Sequence, residues 1–164
     1  MCTPPPDEAF SNTHDHQHCI DSAVTIAVAL CKSRGCRLTP VRKRVLELVW
    51  QSHKPLGAYQ LLAMLAHEGF SPAPPTVYRA LDFLLEQGLI HRLASLNAFI
   101  GCRDPRHNHH GYFLICRICG CALELESERL AGVLQHSADA RGFALESETV
   151  ELFGRCPPCQ ENPA

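Results

Sequence analysis

Apolar residues three or four apart recur in four stretches of the first half of the chain, three of them closed by a glycine, and each stretch predicts a short helix. Asp21 to Ser33 carries Val24, Ile26, Ala27, Val28, Leu30 and Cys31 and stops at Gly35. Leu38-Thr39-Pro40 opens the next, because Thr39 is a good N-cap and Pro40 suits the first helical position. Val41, Val45, Leu48 and Val49 form its buried face, flanked by Arg42, Lys43 and Arg44. A third helix spans Ala58 to Glu68 with Leu61, Leu62, Met64 and Leu65 inward and Gly69 as its stop. After the stiff Ser71-Pro72-Ala73-Pro74-Pro75, a fourth runs from Thr76 to Gln87 and ends at Gly88. On it Val77, Leu81, Leu84 and Leu85 make one stripe, while Thr76, Tyr78, Arg79 and Asp82 lie off the stripe near the N-terminal end. Ile90 to Leu93 and Ala98 to Ile100 pair as two strands around Ser95-Leu96-Asn97, completing a winged helix-turn-helix.

Beyond Gly101 the period changes. Phe113-Leu114-Ile115 and Ala122 to Leu125 read as strands, and Glu128 to Arg141 as a helix through Leu130, Val133, Leu134 and Ala138, ended by Gly142. Phe143 and Leu145, then Val150 and Leu152, alternate as strand residues in opposite phase, which suggests a bulge or turn near Ser147-Glu148. Strand, strand, helix, strand is a small α/β unit with a sheet edge open to a symmetric partner. The fold class is therefore α+β: a polar tail over residues 1–20, expected to be disordered, a winged-helix unit over 21–100, a linker over 101–111 and a second unit over 112–164.

The chain has 164 residues, 46% of them hydrophobic, enough to bury a real core. No stretch of eighteen apolar residues exists and the N-terminus lacks the form of a signal peptide, so a soluble, cytoplasmic protein is expected. The net charge of −2 conceals an asymmetry. Between Arg37 and Arg92 seven basic residues face four acidic ones, whereas from Leu93 onward six basic face nine acidic. A basic first half suits nucleic acid, and the first turn of the fourth helix offers Thr76, Tyr78 and Arg79 to base edges and phosphates.

Ten cysteines change the picture again. Two are spaced as Cys116-x-x-Cys119 and two as Cys156-x-x-Cys159, which points to metal rather than to disulfides. Four thiolates fill a tetrahedral zinc, so that site is structural. A redox pair of the thioredoxin kind is disfavoured because neither hook is expected to open a helix after a strand. His91, Cys102, the linker residues His107, His109 and His110, and Glu124 form a second candidate set drawn from both units. One thiolate, two imidazoles and a carboxylate would hold a zinc ion across the linker, and the thiolate favours zinc over Fe(II) or Mn(II). The histidine and cysteine tract His14-Asp15-His16-Gln17-His18-Cys19 can capture metal only loosely, so a zinc store or chaperone is the rival from another class. No enzyme is expected: the deaminase signature, His-x-Glu ahead of Pro-Cys-x-x-Cys, is absent.

Leu38-Thr39-Pro40-x-Arg42, Pro75-Thr76-Val77-Tyr78-Arg79-Ala80-Leu81, the His-rich linker, Phe113-Leu114-Ile115-Cys116-x-x-Cys119-Gly120 and the late Cys156-x-x-Cys159 together resemble the ferric uptake regulator family over about residues 20 to 160. Pro74 to Gly88 and the position of Cys102 resemble its zinc uptake regulator branch. The resemblance implies a dimeric repressor of zinc-uptake genes whose zinc-loaded form binds operator DNA, with two zinc ions per subunit. It implies DNA contacts from Tyr59, Tyr78 and Arg79, and regulatory ligands His91, Cys102, His109 and Glu124, with His110 or His107 as alternatives to His109. An iron or peroxide sensor is the rival within the family, and would use His, Asp and Glu without a thiol.

Overall fold

The computed structural model describes residue 10 and residues 16–70, 73–106 and 111–161. Helix α1 (His16–Ser33) buries Cys19, Ala27 and Cys31, which fall on one stripe at multiples of four residues. Because Cys19 belongs to that stripe, the helix begins at His16, and the disorder expected through residue 20 does not hold for His16–Ile20. Residues 1–9 and 11–15, the rest of the expected tail, lie outside the described residues. Helix α2 (Pro40–Trp50) starts as its chemistry requires: Thr39 is extended and its Oγ1 accepts from the Arg42 N–H at 3.4 Å, a cap that contributes about 1 kcal/mol.

Helix α3 (Ala58–His67) follows, with Gln60 Oε1 reaching back to accept from the Gly57 N–H at 2.8 Å. Helix α4 (Pro74–Glu86) begins two residues before the expected Thr76, since two prolines fit its first turn, where no N–H is needed. Gly35, Gly69 and Gly88, all at positive φ, terminate α1, α3 and α4, a conformation only glycine adopts without cost. Val45, Leu48, Leu61, Leu65, Leu81 and Leu84, each wholly buried, join these helices into one core. Shortening any of these leucines to alanine would cost about 2–5 kcal/mol.

The helices lead into a three-stranded antiparallel sheet made of β1 (Leu56–Gly57), β2 (Ile90–Leu93) and β3 (Ala98–Gly101) in the order β1-β3-β2. The β2–β3 hairpin is the wing, and its turn holds Asn97 at φ 46. β1 was not expected; two residues carry no periodicity to read.

The second sheet contains β4 (Gly111–Cys116), β5 (Ala122–Leu125) and β6 (Thr149–Gly154), ordered β5-β4-β6, with β4 antiparallel to β5 and parallel to β6. Helix α5 (Glu128–Asp139) lies between β5 and β6 in the chain and is capped by Ser127 Oγ, which accepts from the Leu130 N–H at 3.2 Å. Phe143 and Leu145 are not strand residues: the chain leaves α5 through Gly142 at φ 64, and Phe143 serves as the residue that closes the helix. A short helix α6 (Pro157–Glu161) follows β6, so Cys156-x-x-Cys159 does open a helix after a strand, contrary to expectation. The architecture is α+β, a winged helix-turn-helix followed by a small α/β unit.

The two sheets share a core. Leu93 and Ile100 of the first pack with Phe113, Ile115 and Ala122 of the second. Three backbone donors join β5 and β6 to the loops around the first sheet as well. The Ala122 N–H donates to the His53 carbonyl at 2.9 Å, and the Ala94 and Ser95 N–H groups donate to the Glu151 carboxylate at 2.7 and 3.3 Å, with the Ser95 hydroxyl bonded to it too.

Candidate metal centres and nucleic-acid face

Cys116 ends β4, Cys119 sits in the turn after it, and Cys156 and Cys159 flank the start of α6. Their four sulfurs all lie within 4.8 Å of one another. The Cys119 and Cys156 sulfurs are 3.7 Å apart. Zinc–sulfur bonds of 2.3 Å in a tetrahedron set a sulfur–sulfur edge of about 3.75 Å, so the spacing fits a zinc tetrathiolate. All four sulfurs converge on one point rather than pairing within a hook, which favours a shared metal over the redox pair that the helix after β6 would otherwise suggest.

Gly120, at φ 76, makes the tight turn, and its N–H donates to the Cys116 carbonyl at 3.0 Å. Burial opposes a Cys116 thiolate, but N–H groups of Cys119, Cys156 and Ile118 outweigh it and bring the thiol down to about 6. One of these is visible as the Cys156 N–H pointing at Cys116 Sγ at 3.4 Å. Burial first, then contacts with neighbouring thiols, pushes Cys156 up to about 12. Four thiols so close cannot all ionise without a cation among them, which is the chemistry zinc supplies.

His91 lies on β2, Cys102 directly after β3, and Glu124 on β5. Donor atoms of the three lie within 4.8 Å of one another. Strand register explains the convergence: Glu124 stands opposite Phe113, and the His91 ring meets the Phe113 ring edge-on at 5.3 Å. Glu124, only 5% exposed, is oriented from both sides. Its Oε2 accepts from the Arg103 N–H at 3.0 Å, and its Oε1 stands 2.7 Å from His91 Nε2.

That last separation is shorter than the edge of about 3.4 Å between nitrogen and oxygen ligands of tetrahedral zinc, so ligation would replace the contact by a small opening of the pair. Burial, and next the Glu124 charge, push the Cys102 thiol well above its ordinary range. A divalent cation would relieve both. Thiolate, imidazole and carboxylate together fit zinc. The linker candidates His107, His109 and His110 lie outside the described residues.

On α4, Val77, Ala80, Leu81, Phe83 and Leu84 face the core, leaving Thr76, Tyr78 and Arg79 exposed. Tyr59, second residue of α3, is 77% exposed and Tyr78 44%, so both rings are open to a partner surface. Arg42, on α2, lays its guanidinium over the Phe83 ring at 3.6 Å, a cation–π contact that braces α4 from behind.

The model of the ferric uptake regulator family matches residues 33–153. The chain belongs to the ferric uptake regulator family. Among relatives in this family, the zinc uptake regulation protein of Escherichia coli (strain K12) is 38% identical over 136 residues, covering 82% of this chain and 80% of that protein. A zinc uptake regulator solved in complex with zinc and DNA matches with a TM-score of 0.79 at 36% identity, covering 91% of this chain and 97% of that one. The crystal structure of holo XcZur matches with a TM-score of 0.79 at 42% identity, covering 86% and 99%. Apo XcZur gives only 0.51 at 43% identity, covering 86% and 97%. The fold described here thus superposes more closely on holo than on apo XcZur.

Two contacts escaped the sequence. The Arg103 N–H on Glu124 and the Glu151 carboxylate on the wing turn join residues 21 and 56 to 57 positions apart, and no local pattern announces such partners. Among the described residues no helix is long and apolar enough to cross a membrane.

Proposed function

We propose that the chain is a zinc-responsive transcriptional repressor of zinc-uptake genes, a cytoplasmic homodimer that binds operator DNA with zinc as co-repressor. The observation that carries this is the meeting of His91, Cys102 and Glu124, since His91 and Glu124 come from the two sheets on either side of the 101–111 linker and Cys102 from the start of that linker. Relatives named for zinc uptake regulation, one of them solved with zinc and DNA, support it. Each subunit would hold two zinc ions, a structural one on Cys116, Cys119, Cys156 and Cys159 and a regulatory one on His91, Cys102, Glu124 and a linker histidine, His109 with His110 or His107 as alternatives.

When bound, regulatory zinc supplies one electrophilic centre that ties three segments together. The chain's own residues do the rest. Glu151 holds the wing turn against β6, the shared core keeps the sheets in register, and α4 is thereby presented at a fixed angle. Thr76, Tyr78 and Arg79 on α4 and Tyr59 on α3 are then the groups that meet bases and phosphates. The mechanism is a population shift: a ligand favours the DNA-competent arrangement only to the extent that it binds it more tightly, and tenfold coupling needs about 1.4 kcal/mol. Leu152 and Phe153 on β6, together with Val133 and Phe143, expose apolar surface suited to a second copy of the chain, which supports the dimer. No catalytic step belongs to this function.

Cys102→Ser tests it. The variant should keep its structural zinc and its dimer yet lose the zinc response on DNA. An unchanged zinc response would refute the regulatory assignment.

A further inference from the structure

Helices α1, α3, α4 and α5 end in the same hydrogen-bond pattern. The residue after the positive-φ glycine donates to the carbonyl five positions back, which sets those two side chains against each other. In α3, α4 and α5 the residues so related are Leu65 and Phe70, Leu84 and Leu89, and Ala138 and Phe143, all of them apolar. In α1 the pair is Cys31 with Cys36. The Cys36 N–H donates to the Cys31 carbonyl at 2.9 Å and the Gly35 N–H to that of Lys32 at 3.4 Å. Neither thiol belongs to either metal donor set.

A disulfide needs Cα atoms about 4.4–6.8 Å apart with side chains facing, and a closing turn of this kind generally brings these two positions together. Access differs between them: Cys31 is 3% exposed, whereas Cys36 is half-buried and meets a reagent first. The setting is electropositive, with Arg34 between the pair, Arg37 beside it and Arg42 bonded to the Arg37 carbonyl at 2.6 Å. Burial, then Cys36, push the Cys31 thiol up to about 11, although Arg42 and Arg34 pull the other way. By access, Cys36 is the attacking thiol and the buried Cys31 the resolving one.

We infer that Cys31 and Cys36 form a reversible disulfide site, closed by a hydroperoxide and opened by a small-molecule thiol. Cys36 Sγ attacks one peroxide oxygen, the O–O bond breaks, and the other oxygen leaves protonated, giving a sulfenic acid on Cys36. Cys31 Sγ then attacks Cys36 Sγ. The S–S bond forms as the S–O bond breaks, and the departing hydroxide takes the Cys31 proton as water. Two thiols lose two electrons and two hydrogens, and hydrogen peroxide becomes two waters.

The bond would act on α4. Arg34 Nη1 donates to the carbonyl and the side-chain oxygen of Gln87 at 2.8 and 3.1 Å, at the C-terminal end of α4, and the Arg37 carbonyl positions Arg42 over Phe83. This consequence rests on the function proposed above, whereas the bond itself does not.

The test is to expose full-length, zinc-loaded protein to equimolar hydrogen peroxide, alkylate the remaining thiols and digest with trypsin. No Lys or Arg precedes Lys32, so cleavage after Lys32, Arg34 and Arg37 frees residues 1–32 from residues 35–37 unless they are linked. The expected product joins the two peptides through Cys31, is lighter by two hydrogens than their sum and disappears with dithiothreitol. Cys36→Ala, at a half-buried position, should abolish it without loss of fold, and Cys31→Ala should do the same. Alkylated Cys36 after treatment, linkage to Cys2 or Cys19 instead, or earlier oxidation of the metal-site thiols would overturn the site. Linked protein should differ from reduced protein in operator affinity, with Cys36→Ala insensitive to peroxide. Equal affinity would overturn the coupling to α4, while absence of operator binding in the reduced, zinc-loaded protein would count against the proposed function instead.

Discussion

Gly101, the last residue of β3, sits immediately before the thiol of Cys102 and directly against the indole of Trp50. A Cβ at this position would lie 2.5 Å from Trp50 Nε1 and 2.7 Å from Cζ2, with Cε2 closer still. Ordinary carbon contacts are about 3.5–4.0 Å, so Gly101→Ala forces the ring or the strand to retreat by roughly 1 Å. Trp50 is half-buried and packs on the helical core, so the ring does not swing freely into solvent. Overpacking of this kind costs about 1–3 kcal/mol, offset by roughly 0.5–1 kcal/mol because alanine has less freedom to lose than glycine.

The net loss, about 1–2 kcal/mol, corresponds to a fall of about 2–8 °C in Tm for a chain of this size. Thermal unfolding followed by circular dichroism measures it, and affinity at the proposed regulatory zinc site should weaken as well because the strand leads directly into Cys102. Trp50→Leu in the Gly101→Ala background should recover more stability than it does alone, since the clash has been removed. A Gly101→Ala protein as stable as the parent, or additive behaviour in the double variant, would refute the steric argument.

Glu151→Ala removes the acceptor of the Ala94 and Ser95 N–H groups and of the Ser95 hydroxyl, a loss of about 1–2 kcal/mol for a charged acceptor partly replaced by water. Hydrogen exchange at those two amides should quicken, and unchanged protection would show that the carboxylate does not hold the wing. Glu68, on the Gly69 turn, accepts from Arg44 Nε and Nη2, each at 2.6 Å, and that bonding lowers its carboxyl below the usual range. A depressed folded-state value means the contribution is present above the unfolded pKa and is lost as pH falls through the folded one. The pair is part-exposed, so the effect is small and salt-sensitive. Arg44→Ala should therefore lower stability at neutral pH but not in strong acid, by paired denaturation curves; an equal loss at both would contradict the assignment.

Helix ends were legible because single residues mark them: Thr39 before Pro40, and Gly35, Gly69, Gly88 and Gly142 after the last turns, all at positive φ. Starts were less so. Pro74 and Pro75 looked like linker but belong to α4, since proline is disfavoured only beyond the first turn. The His16–Ile20 turn of α1 looked like polar tail until Cys19 aligned with Ala27 and Cys31. Phe143 read as a strand residue because an apolar closing residue after a glycine looks, in one dimension, like the first position of a strand.

Metal hooks announce themselves by local spacing, whereas the hinge cluster does not. His91, Cys102 and Glu124 meet only through the pairing of β2 with β3 and of β4 with β5 and through the core between the sheets. For that set, residue chemistry rather than periodicity drew the residues together, and the family resemblance then singled out His109 among the linker histidines.

Operator binding in a buffered free-zinc series measures the coupling most directly, using DNA selected in vitro by the zinc-loaded protein. Affinity is expected to rise at least tenfold, about 1.4 kcal/mol, as the weaker site fills while the tetrathiolate stays loaded. By linkage the DNA must tighten that zinc by the same factor. Operator affinity that ignores zinc, or that rises equally with Fe(II), would contradict a zinc-responsive hinge.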